Sequence, residues 1–174
     1  MNVQVKRAAA AITVGGLVTG GLLVAGGVAG AMPSDKLCGA SDVEVTVTPD
    51  PSHSTGHEAY VLTYTAASPT TNCKLQGAPT ALSFVDDGHL IDDVAVVPDA
   101  TAANAAPVNL REGRPAVSRI VQASAEAPNP HTPTTITFDL PTGPGGVPVV
   151  ANWPAGEPLK GATVQVTAVS AVTP

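Results

Sequence analysis

Aromatic residues and positive charges are both scarce in this chain. Its 174 residues include one Trp, two Tyr and two Phe, and eight Lys and Arg stand against fourteen Asp and Glu. An acidic chain with scattered single cations offers no electrostatic footprint for a phosphate backbone, which argues against nucleic-acid binding. Helical periodicity is nearly absent, and seventeen Pro with seventeen Gly would break most helices while suiting strand ends and turns. No G-x-S-x-G elbow occurs, so nothing marks a nucleophilic serine. The spacing of a calcium loop, D-x-[DN]-x-[DN]-G, is missing too. Cysteine is limited to Cys38 and Cys73.

Long uncharged apolar runs are also missing, with one exception at the start. Lys6 and Arg7 precede the run Ala8 to Ala31, which ends Ala29-Gly30-Ala31. A charged n-region, an apolar h-region and small residues at an A-x-A site make a secretory signal peptide. We therefore expect residues 1–31 to be a cleaved signal, 32–37 a short lead, and 38–174 a single domain, a usual domain size. No membrane span is expected after cleavage. Loss of Lys6 and Arg7 would make the chain, at a formal charge of −6, more acidic by two charges. The alternative is an uncleaved anchor: the run is long enough to span a bilayer and carries Gly16-x-x-x-Gly20 and Gly26-x-x-x-Gly30, a spacing that packs membrane helices. A lipid anchor fits poorly, because Cys38 follows the charged Asp35-Lys36 pair rather than a small-residue box.

An even cysteine count in an exported chain reads as one disulfide, Cys38–Cys73. Closing a loop of about 36 residues stabilises by about 3.8 kcal/mol in the chain-entropy model.

Period-2 alternation dominates the rest of the chain. Val43, Val45 and Val47 alternate with polar residues, and Tyr60, Leu62 and Tyr64 share one face of a second strand. Thr80–Val85 and His89–Val97 flank Asp87-Gly88, the strongest short hairpin signal. Further strands are expected at Ala116–Ala123 (carrying Val117, Ile120 and Val121), Thr134–Leu140, and a final one through Val164, Val166, Ala168 and Val172. About seven to eight short strands with regular turns predict an all-β, immunoglobulin-like β-sandwich. Trp153, in Asn152-Trp153-Pro154 between two Pro/Gly stretches, either caps the core or serves as an exposed partner contact, the cap being favoured.

Two constellations are candidates for metal chemistry. His53 and His57 lie four apart, but Pro49, Pro51 and Gly56 deny them a common helical face, leaving a loop that presents two imidazoles. Asp86, Asp87, Asp92 and Asp93 crowd four carboxylates together, which suits a hard cation. A tight turn already accounts for Asp87-Gly88, and Asp92 and Asp93 should face opposite sides of a strand.

Several patterns occur in a fixed order: Cys38, the strand Tyr60–Thr65, Asn72-Cys73-Lys74-Leu75-Gln76-Gly77-Ala78-Pro79, the Asp86-Asp87-Gly88 turn, and Leu110-Arg111-Glu112-Gly113-Arg114-Pro115-Ala116. This resembles the actinobacterial exported family known as domain of unknown function 4232, whose pattern includes Cys-x-Leu-x-Gly-x-Pro and Leu-x-Pro-Gly-x-x-Ala. Glu112-Gly113 replaces the Pro-Gly here, and a further cysteine pair of some relatives is missing. The resemblance implies an extracytoplasmic β-sandwich and carries over no catalytic residue. The expectation is a secreted, non-enzymatic binding or structural module of the cell envelope or exterior, without a cofactor, its partner an unidentified protein or envelope ligand. An exported metal-binding protein is the alternative, and a secreted hydrolase a third.

Overall fold

Alternation of apolar and polar side chains builds strands wherever one face is covered. The structure, a computed structural model, describes residues 34–52, 54–125 and 130–172. The expected signal peptide and His53 lie outside the described residues. Among the described residues there are twelve strands, two single-turn 3-10 segments and no α-helix. No described helix is long and apolar enough to cross a membrane.

The strands are β1 (Val43–Pro49), β2 (His57–Ala66), β3 (Asn72–Leu75), β4 (Thr80–Asp86), β5 (His89–Ile91), β6 (Ala95–Pro98), β7 (Val108–Arg111), β8 (Ala116–Ala123), β9 (Thr135–Asp139), β10 (Pro148–Asn152), β11 (Thr163–Val166) and β12 (Ser170–Ala171). One sheet has the order β1-β2-β8-β11-β6, with β12 also on β8; a second runs β10-β9-β4-β5, and β3 pairs with β7. All pairings between these strands are antiparallel except β6 with β11, which is parallel.

The inward faces of the two larger sheets share one core. Tyr60, Leu62 and Tyr64 of β2 are buried, as are Phe84 of β4 and Ile136 and Phe138 of β9. The Tyr64 and Phe138 rings meet edge to face with centroids 6.4 Å apart, an arrangement the ring quadrupoles favour. At the predicted hairpin, Asp86 pairs with His89 across a two-residue turn. Asp87 and Gly88 have φ of 44° and 84°, both left-handed, as a type I′ turn requires.

Two departures from the sequence reading, and the facing of β8, have physical causes. The expected strand His89–Val97 is two strands, because β5 pairs with β4 in one sheet and β6 with β11 in the other. The chain crosses between sheets at Asp92-Asp93-Val94, so the two aspartates sit in a connection, both exposed, and not on opposite faces of a strand. In β8 the buried face is Ala116, Ser118, Ile120 and Gln122, which leaves Val117 and Val121 half-buried on the other side. The polar pair is accommodated by hydrogen bonds: the Ser118 hydroxyl lies 2.8 Å from the Tyr64 hydroxyl, and Gln122 accepts from the Lys160 amide and donates to the Pro158 carbonyl. The last expected strand is interrupted by a bulge. Val166 faces Ile120 and Ser170 faces Val117, so three residues of one strand oppose two of its neighbour. The bulge turns Val169 inward, where it is buried in place of Val172.

Cys38 and Cys73 form a disulfide with Cα atoms 4.9 Å apart. It ties the lead to β3, where the Cys38 amide donates to the Lys74 carbonyl and the Lys74 amide to that of Lys36.

Candidate ligand cleft

Three connections converge where the sheets end: Gln76–Thr80 between β3 and β4, Pro98–Ala103 after β6, and Asp139–Gly146 between β9 and β10. They enclose a cleft of about 840 Å³, with Leu37 at its rim. Sites for small organic ligands are commonly clefts of this size with apolar walls and a few placed polar groups.

The first connection fastens the other two. The Gln76 amide donates to the Pro141 carbonyl, and its side-chain amide donates to the Ala105 carbonyl at 3.2 Å. The Gly77 carbonyl accepts from the Val169 amide at 2.7 Å, so the bulge before β12 locks onto the same turn. Gly77 has φ of 90°, a conformation that side chains disfavour.

Two carboxylates line the cleft, one from each larger sheet. Asp99 follows β6, and its amide continues the ladder by donating to the Val166 carbonyl. Its Oδ1 accepts from both the amide and the hydroxyl of Thr101. These two bonds hold the Asp99 carboxyl below the usual carboxylate range. Asp139 ends β9, where it pairs with Pro148 on one side and Thr80 on the other. A Cβ on Gly146 would lie 2.5 Å from the Asp139 Oδ2, so any larger residue here requires the carboxylate to shift. Thr80 precedes a bulge in β4, at which Ala81 adopts φ of 51°.

The residues singled out in the sequence lie elsewhere. Trp153 is a correction to the partner-contact reading. It is 4% exposed, with its ring centroid 4.2 Å from Tyr60 and 5.5 Å from Phe84. Its indole N–H donates to the Glu157 carbonyl at 2.9 Å, so neither face nor edge is left for a partner. Burial, and after it the charge of Glu157, pushes the Tyr60 phenol far up, so it stays a neutral hydrogen-bond donor.

His57 is exposed, its Nδ1 3.4 Å from the Thr55 carbonyl. Asp86 and Asp87 belong to the hairpin, and Asp93 pairs with His131 at 2.9 Å. That hydrogen bond lowers the Asp93 carboxyl. Among the described residues no three His, Cys, Asp or Glu side chains are grouped to hold a metal ion. The aspartates named from sequence are therefore dispersed by the hairpin and the crossover.

Sequence reasoning named neither Asp99 nor Asp139. The available signal was indirect: Gln76-Gly77, in the segment that carries the family resemblance, turns out to be the clasp of the cleft. A family model described as Domain of unknown function (DUF4232) matches residues 38–170, from the disulfide cysteine into β12. No curated protein and no solved structure matches the chain.

Proposed function

The chain belongs to the family described as Domain of unknown function (DUF4232), and from that premise we propose that it is a non-enzymatic binding module working outside the cytoplasm. In this reading Met1–Ala31 is a signal peptide that is removed. The mature domain, an immunoglobulin-like β-sandwich, is released at the cell envelope or exterior of an actinobacterium. The disulfide between Cys38 and Cys73 supports an oxidising compartment.

The observation that carries the binding role is the cleft of about 840 Å³. One of its walls is Gln76–Thr80, which overlaps the family-like Cys-x-Leu-x-Gly-x-Pro segment. The Gln76 and Gly77 bonds that fix it also preorganise the site, which reduces the ordering cost of binding.

Isotope-labelled exported protein, titrated with fractionated small molecules of the native culture fluid and envelope, tests this reading. Amide shifts confined to Gln76–Thr80, Pro98–Ala103 and Asp139–Gly146 are expected. Shifts centred on another face, or none with any fraction, overturn the site. Stoichiometric labelling by a serine-hydrolase activity probe overturns the non-enzymatic assignment.

A further inference from the structure

The walls of the cleft carry two carboxylates and no Lys, Arg or His. From this asymmetry we infer that the ligand is a small organic cation: an ammonium group on an apolar body. The inference rests on the cleft being the binding site and specifies what enters it.

Each part of that description answers to a part of the lining. Leu37, Pro98 and Pro144 supply exposed apolar surface, which a hydrocarbon body would cover. The Asp139 carboxylate has no hydrogen-bond or ion-pair partner among the described residues, so it is available to an incoming donor. Asp99 uses Oδ1 for Thr101, and its Oδ2 is left without a protein partner among the described residues. An ammonium carries three donors and no acceptor, so it can pair with either carboxylate.

An anion would meet the opposite situation. Two carboxylates repel it, and no cationic side chain in the walls compensates. A neutral ligand would bury carboxylate oxygens without charge pairing, and loses the charge-assisted hydrogen bonds that are the stronger kind. Low-dielectric walls focus the field of like charges, which raises the local concentration of the complementary ion.

The walls are also held for this task by groups outside the cleft chemistry. Thr101 fixes the Asp99 carboxylate and holds its pKa down. Gly146 leaves room for the Asp139 carboxylate under the loop.

A matched set of probes tests the inference on the purified exported protein: hexylammonium, hexanol and hexanoate, each followed by amide NMR at constant ionic strength. Hexylammonium is expected to shift the cleft amides at a concentration at least tenfold lower than hexanoate or hexanol. Its affinity should fall as salt rises, and Asp139→Asn should weaken it about tenfold while leaving the amides of β2 and β8 unmoved. Equal or tighter binding of hexanol or hexanoate at the same amides overturns the cationic class but leaves the cleft as the site. Absence of any hexylammonium shift overturns the inference as well. Failure of the site itself reads differently, as a culture-fluid footprint on another face. The wild-type comparison of the three probes decides the class even where the Asp139 variant does not fold.

Discussion

At the scale of single residues, the loop over Asp139 poses a steric question with a numerical answer. Gly143 and Gly146 both have positive φ, at 85° and 34°, but an added Cβ meets nothing within 4 Å at Gly143 and the Asp139 carboxylate at Gly146. Gly143→Ala should therefore cost only the left-handed strain, about 1 kcal/mol. Gly146→Ala adds overpacking and should cost about 2–3 kcal/mol. Denaturant midpoints in an Asp139→Ala background separate the two contributions: the Gly146→Ala cost there should drop to that of Gly143→Ala. An unchanged cost would place the penalty in the backbone and not at the carboxylate. Asp50 poses a second question, of charge. It is 6% exposed, and its Oδ2 accepts from the Arg119 Nε at 2.7 Å. That bond, and after it the Ser52 amide, lowers its carboxyl from the ordinary 3.8 against the opposing effect of burial. A depressed native pKa contributes stability that is fully present above the unfolded value and lost as pH falls through the native one. Stability should consequently decline below about pH 4. In Asp50→Asn the protein should be weaker at neutral pH and show a shallower acid decline, with Asp42, Asp93 and Asp99 (each also lowered) keeping part of the slope. An identical acid limb in the variant would remove Asp50 from the account.

Among the elements, the irregular ones serve the cleft. The bulge in β4 carries Ala81 in a left-handed conformation, which costs an L-residue about 1–2 kcal/mol. Glycine at that position loses about 0.5–1 kcal/mol to chain entropy, so Ala81→Gly should stabilise by about 0.5 kcal/mol or more. The check is a rise in denaturant midpoint without a change in slope; a fall would mean that the Ala81 methyl contributes more by contact than it costs in strain. The second bulge, between β11 and β12, releases the Val169 amide from the ladder to the Gly77 carbonyl. These features explain which elements could be read ahead of the structure. β1, β2, β8 and β9 were legible because each alternates over at least five residues against one covered face. β3 and β7 have four residues each, too short for a period to register, and β10, though as long as β9, runs Pro-Val-Val-Ala-Asn without alternation. Phase was legible in β2, where Tyr60, Leu62 and Tyr64 share one face, and was not assigned in β8. There the apolar Val117 and Val121 face away from the core, while Ser118 and Gln122 face into it with hydrogen-bond partners supplied by distant chain. Asp99 and Asp139 were illegible for the same reason: what joins them is the meeting of three connections, and no sequence spacing encodes that.

For the molecule as a whole, the export reading and the cleft meet at the disulfide. Residues 32–174 make one compact unit, and its lead is attached through Cys38 and through the backbone bonds Cys38 to Lys74 and Lys74 to Lys36. Leu37, between those anchors, borders the cleft and is 48% exposed. Loss of the crosslink should therefore act twice. Stability should fall by about 3.8 kcal/mol, the chain-entropy value for a loop of this length, and the rim of the cleft should lose its fixed position. The pair Cys38→Ala and Cys73→Ala, compared with wild type by denaturant unfolding, measures the first effect. Amide hydrogen exchange at Leu37, Cys38 and Lys74 measures the second, since local opening of the lead is then governed by the two backbone hydrogen bonds, the Ser34 bond to Asn109 and the Lys36–Asp42 pair. Faster exchange confined to these positions, with β2 and β8 protected to the level of the lowered global stability, is the expected pattern. A loss below about 1 kcal/mol with unchanged exchange would mean that the backbone bonds suffice to hold the lead. The crosslink would then not be a support of the cleft.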